Sequence, residues 1–529
     1  MDKYFKLAID NVYRYGDTDI FPFPIENVIF YDNKKDVVQL LQKIHKDFHT
    51  YFANDTPQNL MGLSPAGYTG FRWANQIDSI WNIYFLSLVL SLGDEIEKTR
   101  IPKNKGNVFS YRFKVNNKTS SFFDTNIGWK EVQEKSLEFA KDYDFILLCD
   151  ISDFYSRIYH HRLENSLDKL VDNNDATKRI MKMLQYFSNN NSYGLPIGGP
   201  AARILAELLL NRTDRLFKSS GIKFCRFVDD YHIFTNSKEE AYQNLVSISE
   251  KLLSNEGLSL QKAKTRIMTC KEFVDSTEFF IEYDDSSRKK DFLRLTLKYD
   301  PYSLTADQDY KELKDQINKF DISSMLVNEL SKSRVHSSLT KKLIKAIKYI
   351  GERERETAIL SLLDNIDILA PLFSIVSIAI KELFLDISQK NQEKVLKVIR
   401  ELISSNSHII QVEINLCYAI RLLGLKYSDE NESLLVQIYN RSVSDLVKRD
   451  IILIMAKWNV NYWISDRKNY FSNMKGWERR AFIISSFVLG DEGKHWYTHA
   501  KKEFNEVENI CASWAKVRFK KQGFTNLPL

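Results

Sequence analysis

The sequence has 529 residues, of which 44% are hydrophobic and 27% are charged, and its formal net charge is +6. This composition is that of a soluble globular protein; it is compatible with a nucleic-acid partner but excludes the strongly basic field of a histone-like protein. A chain of this length is too long for a single core, so we expect two or three domains.

Neither a secretory leader nor a membrane partner is expected. The N-terminal stretch MDKYFKLAID has no apolar core, and apolar stretches such as LAPLFSIVSIAI are shorter than a membrane span. The five cysteines include no CxxC pair. This spacing disfavours a zinc site or a disulfide framework and favours a reducing cytoplasm.

The first 300 residues mix helical and strand-like patterns. WNIYFLSLVLSLGDEIEKTR is typical of helix, whereas FILLCDIS and KFCRFV are typical of short strands. In FILLCDISDFY a continuous apolar run ends at Asp150, as a buried strand would end at a functional edge. The mixture predicts an α+β domain over residues 1–300.

A constrained loop, GLPIGGP, follows at residues 194–200 and leads into an amphipathic helix that begins near Ala201. A glycine-rich loop before a helix lets backbone approach a ligand and presents free N–H groups. Such loops also serve as plain turns.

The stretch CRFVDDYHIF places Asp229 and Asp230 between two apolar runs, which predicts a hairpin with the acids at its turn. Acids are common in turns for conformational reasons alone. Together with Asp150, however, they would form a cluster of three carboxylates that repel one another unless cations neutralise them. Hard divalent ions bind carboxylates of this kind together with substrate phosphates.

Downstream, EGLSLQKAKTRIM places Lys264 after another strand-like segment. From residue 301 onward the pattern changes, because amphipathic runs such as QEKVLKVIRELISS repeat with short polar linkers between them. This predicts an all-α domain over residues 301–529, either a HEAT-like array of paired helices or a plain bundle.

The order of these features resembles the palm of reverse transcriptases over residues 60–290. DISDFY is similar to their motif A, GLPIGGP to motif B, FVDD to motif C and KAKTRI to motif D. The resemblance implies a fold with right-hand polymerase fingers and palm in residues 1–300, followed by the HEAT-like helical domain.

By this resemblance, the catalytic and metal-binding acids are Asp150, Asp229 and Asp230, and the backbone carbonyl of Ile151 is a further metal ligand. The implied cofactor is a pair of Mg²⁺ ions, with Mn²⁺ as a substitute. Such a pair can activate a 3′-hydroxyl and stabilise the leaving pyrophosphate.

The resemblance also implies a deoxynucleoside triphosphate site. Asp153 and Phe154 would line it through their backbone, and Gly198 would let the motif B loop pass beneath the nucleotide. Tyr155 would block a 2′-hydroxyl and so favour deoxynucleotides. Lys264 would approach the phosphates and act as a general acid toward pyrophosphate.

Further upstream, GNVFSYRF resembles the fingers segment that supplies a phosphate-binding arginine. Arg112 is the candidate, with Arg100 and Lys103 as alternatives. A single arginine in a strand is otherwise most often half of a surface ion pair.

The stretch FRWANQIDSIWNIYFLSLVLSL and the helical C-terminal half resemble bacterial defence-associated reverse transcriptases of the abortive-infection (Abi) and DRT type. This implies a nucleotidyltransferase of the bacterial cytoplasm that makes DNA, with or without a template, in antiphage defence. Members of this group include trimers and hexamers, enzymes that use a small non-coding RNA, and enzymes that attach the DNA product to a tyrosine; here the priming residue stays open.

Two alternatives remain. One is a templated reverse transcriptase of the retron or group II intron type that copies an associated RNA. The other is an inactive palm that acts as a nucleic-acid-binding assembly module.

Overall fold

The structure is a computed structural model that describes residues 1–170, 175–275, 292 and 306–529. The described elements are predominantly helical, with a few short strands in the first half of the chain. In chain order they are α1 Asp2–Tyr15, α2 Ile25–Asp32, α3 Lys34–Lys46, α4 Phe48–Asn54, β1 Asn59–Pro65, β2 Phe71–Ile77, α5 Ser79–Ser91, α6 Gly93–Thr99, β3 Phe113–Asn116, β4 Ser121–Phe123, α7 Trp129–Phe139, β5 Phe145–Asp150, α8 Phe154–Arg157, α9 His160–Asp168, α10 Asp175–Phe187, α11 Pro200–Ser219, β6 Lys223–Phe227, β7 Asp230–Thr235, α12 Lys238–Lys251, β8 Arg266–Thr269, α13 Ala306–Ile317, α14 Ile322–Leu330, α15 Ser337–Ala346, α16 Glu352–Asp364, α17 Phe373–Leu383, α18 Gln389–Ser404, α19 Glu413–Leu423, α20 Asp429–Arg441, α21 Asp445–Lys457, α22 Asn461–Arg467, α23 Gly476–Ser485, α24 Asp491–Ala500 and α25 Glu506–Gln522.

The chain divides into two compact units. The first comprises Met1–Asp19, Glu26–Met61 and Trp73–Tyr283, and the second comprises Ile20–Ile25, Gly62–Arg72 and Asp284–Leu529. The predicted boundary at residue 300 lies outside the described residues and stays a prediction. The two short N-terminal segments of the second unit were not predicted from the sequence.

The centre of the first unit is a four-stranded antiparallel sheet in the order β6-β7-β5-β8. Its strands form as predicted from FILLCDIS and KFCRFV, because their apolar side chains are buried on both faces. One face packs against α7. The core residues on that side are Val132, Phe139, Ile146, Cys225, Phe234, Cys270 and Phe273.

The second unit is helical throughout its described C-terminal part, as predicted. Alternate helices pack in succession, α15 on α17, α17 on α19, α19 on α21, α21 on α23 and α23 on α25. Such stacking buries the apolar stripe of each helix against its second neighbour along the chain. The finer assignment to the HEAT class stays a prediction.

Membrane-spanning helices are absent from the described part of the chain, since none there is both long and apolar enough. All five cysteines are buried and free.

Candidate active site

The two acids of FVDD lie at a tight hairpin turn, as predicted. Strands β6 and β7 are joined by only Val228 and Asp229. Val228 has φ of +58°, in the left-handed region. This region is strongly disfavoured for a β-branched residue, and the first position of such turns usually holds glycine. The strained conformation must therefore be imposed by the surrounding structure.

Arg226 imposes much of this conformation. Its guanidinium is fully buried and donates a hydrogen bond to the Val228 carbonyl at 2.7 Å. The same side chain pairs with Asp214 at 2.7 Å and with Glu207 at 2.9 Å, both on α11. The turn is thus tied to a helix by a buried ion-pair network. We did not predict this role, although an arginine inside the apolar strand FCRF is a visible signal for a buried pair.

The hairpin brings Asp229 and Asp230 to Asp150. Asp150 and Asp230 are directly opposed on β5 and β7, and the Ile151 amide donates to the Asp229 carbonyl at 3.2 Å. Each of the three acids offers a carboxylate oxygen, and these oxygens all lie within 4.8 Å of one another. The sequence therefore correctly predicted that carboxylates 80 residues apart would meet.

The cluster is electrostatically unfavourable when it is fully ionised. Burial, and then the charge of Asp150, raises the pKa of Asp229 to about 6. Burial, followed by the charges of Asp229 and Asp150, raises the pKa of Asp230 to about 7. A cation would remove this repulsion, and a donor set made only of carboxylate oxygens suits Mg²⁺ or Mn²⁺ better than zinc. The residues present therefore fit a hard divalent ion.

Lys264 also lies at the acids, with its Nζ 3.0 Å from Oδ1 of Asp150. The turn that carries it is anchored to β5, because the Gln261 amide donates to the Asp150 carbonyl at 2.7 Å. Burial disfavours the ammonium form, but the hydrogen bond and charge of Asp150 outweigh burial and raise the pKa of Lys264. Lys264 is therefore a charged donor beside the carboxylates.

The residues after Asp150 form a turn and the short helix α8. Asp153 has φ of +47° and is exposed, whereas Phe154 is buried. The Tyr155 carbonyl accepts from the amide of Leu195, at 2.9 Å, in the glycine-rich loop. Burial, and then the neighbouring Tyr111, raises the pKa of the Tyr155 hydroxyl well above its usual value, so Tyr155 is a neutral phenol.

Gly198 is a conformational requirement of its loop. Its φ is +117°, and a Cβ there would lie 2.2 Å from Oγ1 of Thr18. Its carbonyl accepts from the Asp19 amide at 3.3 Å. The N-terminal segment thus packs directly on the loop, which explains the glycine structurally, and the role beneath a nucleotide stays a prediction.

The structure argues against Arg112 as a phosphate ligand. Its side chain is only 2% exposed; its Nη2 lies 2.6 Å from Glu97 and its Nη1 donates to the Ile101 carbonyl at 3.0 Å. The alternatives are also engaged, Arg100 by Glu207 at 2.5 Å and Lys103 by Asp124 at 3.0 Å. The strand pattern around Arg112 did not reveal a buried ionic partner, and we correct this assignment.

A cation that we did not predict is Arg203, on the first turn of α11. It pairs with Asp19 at 2.7 Å and its guanidinium lies 5.3 Å from the centre of the Tyr111 ring. Its charge also acts on the hydroxyl of Tyr155. Arg203 is therefore a cation near the predicted sugar-selecting residue.

Residues 95–346 match the family model described as "Reverse transcriptase (RNA-dependent DNA polymerase)". No curated protein matches the sequence. Among solved structures, telomerase from Candida albicans with a fragment of telomeric RNA is 13% identical, with 74% of this chain and 71% of that chain covered and a TM-score of 0.30. Apo telomerase from Candida tropicalis is 12% identical, with 77% and 71% covered and a TM-score of 0.31. These two likenesses are too weak to support an argument.

Proposed function

We propose that this chain, whose residues 95–346 match a reverse transcriptase family model, is a DNA polymerase that transfers deoxynucleotides at Asp150, Asp229 and Asp230. The observation that supports the proposal best is the convergence of these three carboxylates within 4.8 Å at a hairpin turn held in a strained conformation. An inactive palm would have no need to keep this repulsive cluster together.

Within this proposal, the three acids and the Ile151 carbonyl would hold two Mg²⁺ ions, or Mn²⁺ in their place. The ions would lower the pKa of the attacking 3′-hydroxyl and neutralise charge on the leaving pyrophosphate. Lys264 would donate a proton to that pyrophosphate; the contact that supports this role is its charged Nζ, 3.0 Å from Asp150.

We also propose that Tyr155 selects the sugar. A neutral, partly buried phenol ring on which the charge of Asp229 acts would meet a 2′-hydroxyl but leave room for a 2′-deoxy carbon. Tyr155→Ala should therefore raise ribonucleotide incorporation relative to deoxynucleotide incorporation about tenfold or more, the discrimination expected from one steric contact. Tyr242→Ala, which alters an exposed tyrosine of α12, is the matched control.

The test of the proposed activity is incorporation of labelled nucleotides by the purified full chain, with and without Mg²⁺. It is run without nucleic acid, with primed RNA and DNA templates, and with RNA from the native host. We expect Mg²⁺-dependent incorporation that prefers deoxynucleotides. Absence of incorporation under every one of these conditions would favour the inactive assembly module instead.

The motif resemblance supports a narrower proposal. We place the enzyme in antiphage defence in the bacterial cytoplasm, working as a homo-oligomer, with a small non-coding RNA as a further partner. Synthesis without a template, from a tyrosine of the protein, is the mode that we favour. The alternative is templated copying of an associated RNA, as in retrons.

Sequencing of the DNA bound to the purified protein separates these modes. A fixed complementary sequence of an RNA supports templated synthesis, whereas a homopolymer or a random sequence supports untemplated synthesis. If DNA changes its electrophoretic mobility after protease treatment, the product is covalently attached to the protein.

A further inference from the structure

A cavity of the first unit opens next to helices α8 and α9. Its volume is about 360 Å³, and it is lined by Arg157, Tyr159, Arg162, Tyr193 and the turn that ends in Glu256. This volume is in the range of small-ligand sites. None of the three clustered acids lines this cavity.

The cavity walls offer two cations with no partner in the described part of the chain. Arg157 and Arg162 make no side-chain hydrogen bond or ion pair there. Arginine side chains usually find a carboxylate when one is within reach. Each guanidinium presents a fork-shaped donor set that matches a phosphate group, and both arginines line this cavity.

Two aromatic rings lie on the same cavity. Tyr159 is 42% exposed and Tyr193 is 48% exposed, and their backbones pair in an isolated antiparallel bridge. This bridge holds the two tyrosines next to each other at the edge of the cavity. Exposed tyrosines beside arginines form a platform on which a base can stack.

Glu256 is the independent observation that points to a ligand. It lines the cavity and is only 4% exposed, yet its carboxylate has no hydrogen bond or ion pair within the described ranges. Burial raises the pKa of Glu256 to about 7, against the opposing charges of Arg212 and Arg162. A buried carboxylate without a partner is costly, unless a ligand supplies donors to it.

We propose that this cavity is a second nucleotide-binding site, separate from the clustered acids, and that it prefers a guanine base. Arg157 and Arg162 bind the phosphate, Tyr159 and Tyr193 stack on the base, and Glu256 accepts from its edge. An ionised carboxylate has only acceptors. Guanine presents two adjacent donors, N1–H and the N2 amino group, whereas adenine presents no such pair.

The site adjoins the segment that follows Asp150 without including the acids. The Ser152 amide donates to the Ser259 carbonyl at 2.9 Å, and Ile151 bridges to Leu260. The turn that contains Glu256 therefore runs directly into backbone that supports the catalytic strand.

The test is binding of dGMP and dAMP to the full chain in EDTA, measured by calorimetry up to millimolar concentrations. EDTA removes the divalent ions on which nucleotide binding at the acids depends, so that binding at the cavity is observed alone. We expect dGMP to bind more tightly than dAMP, and Asp229→Asn to leave dGMP binding unchanged. Because this binding measurement does not depend on polymerase activity, the cavity proposal and the proposed polymerase function can each fail without the other.

Three variants and their controls complete the test. Arg162→Ala should weaken dGMP binding about tenfold or more, since it removes a charged phosphate donor, and Glu256→Gln should abolish the preference over dAMP. Tyr193→Leu, at a position that is 48% exposed, should weaken the binding of both nucleotides. The controls are Arg441→Ala, Glu250→Gln and Tyr242→Leu, which change exposed residues outside the cavity.

The proposal is overturned if dGMP does not bind without metal, or if it binds equally well to Arg162→Ala, Tyr193→Leu and the wild type. Equal affinity of the wild type for dGMP and dAMP overturns the guanine assignment.

Discussion

Asp230 illustrates how a single residue links the site to stability. Its folded pKa is raised to about 7 by burial and by the charges of Asp229 and Asp150, well above the usual value for an unfolded aspartate. The folded state therefore binds more protons than the unfolded state between about pH 4 and pH 7. The stabilisation that protonated Asp230 contributes is fully present below about pH 4 and is lost as the pH rises through 7.

The Asp230→Asn variant tests this linkage. It should be about as stable as the wild type near pH 4, and more stable by on the order of 4 kcal/mol at pH 8 without metal. Urea unfolding of both proteins across this pH range in EDTA gives the difference. Asp144→Asn changes an exposed residue near the start of β5 and is the control; its stability relative to the wild type should not change with pH. A pH-independent difference between Asp230→Asn and the wild type would contradict the account.

Arg226 is a positioning residue for the acids. In Arg226→Met, Asp214 would be left buried without its cation and Val228 would lose the hydrogen bond that holds its conformation. Breaking a buried ion pair on one side costs about 3–5 kcal/mol. Denaturant unfolding should show this loss of stability. Any residual polymerisation by Arg226→Met should need a higher Mg²⁺ concentration than polymerisation by the wild type, because the acids are less well positioned. An unchanged Mg²⁺ requirement would show that Arg226 stabilises the fold but does not position the acids.

At the scale of elements, the strands and the hairpin were predictable because their apolar runs are short, bounded and buried. The start of α11 at Pro200 also agrees with the prediction near Ala201, since proline favours the first turn of a helix. Arg112 was mispredicted because a sequence pattern shows the strand but not the Glu97 that lies against it. Long-range ionic partners of this kind emerge only from packing.

The glycine-rich loop offers a prediction with an internal control. Gly198 and Gly221 both have positive φ, but a Cβ at Gly198 would clash with Thr18 whereas a Cβ at Gly221 meets nothing within 4 Å. Gly198→Ala should therefore destabilise the protein by about 1–2 kcal/mol more than Gly221→Ala. Thermal unfolding of the two variants measures this difference, and equal losses would show that the contact with Thr18 is unimportant.

At the scale of the whole molecule, the sequence indicated a mixed first half and a helical second half, but not the composition of the second unit. That unit includes Ile20–Ile25 from the start of the chain. There the Tyr418 hydroxyl donates to the Ile20 carbonyl at 3.1 Å, and Arg421 donates to the Phe23 carbonyl at 2.8 Å. Contacts between residues 398 positions apart leave no local sequence pattern.

A fragment of residues 306–529 tests this composition. Without Ile20–Ile25 it loses both hydrogen bonds and exposes apolar surface around Tyr418. We expect the fragment to unfold at a lower temperature than the same helices in the full chain. The α19 amides should therefore exchange hydrogen faster in the fragment than in the full chain. Equal protection of α19 in the fragment and the full chain would contradict the assignment of the N-terminal segment to this unit.

The most direct test of the central claim is Mg²⁺-dependent incorporation of labelled deoxynucleotides by the wild type, Asp229→Asn and Asp144→Asn side by side, with folding checked by circular dichroism. We predict that Asp229→Asn remains folded but is slower by about a thousandfold or more, because loss of a metal-binding carboxylate costs several kcal/mol of transition-state stabilisation. Asp144→Asn should match the wild type. Incorporation by folded Asp229→Asn at the wild-type rate would contradict the account.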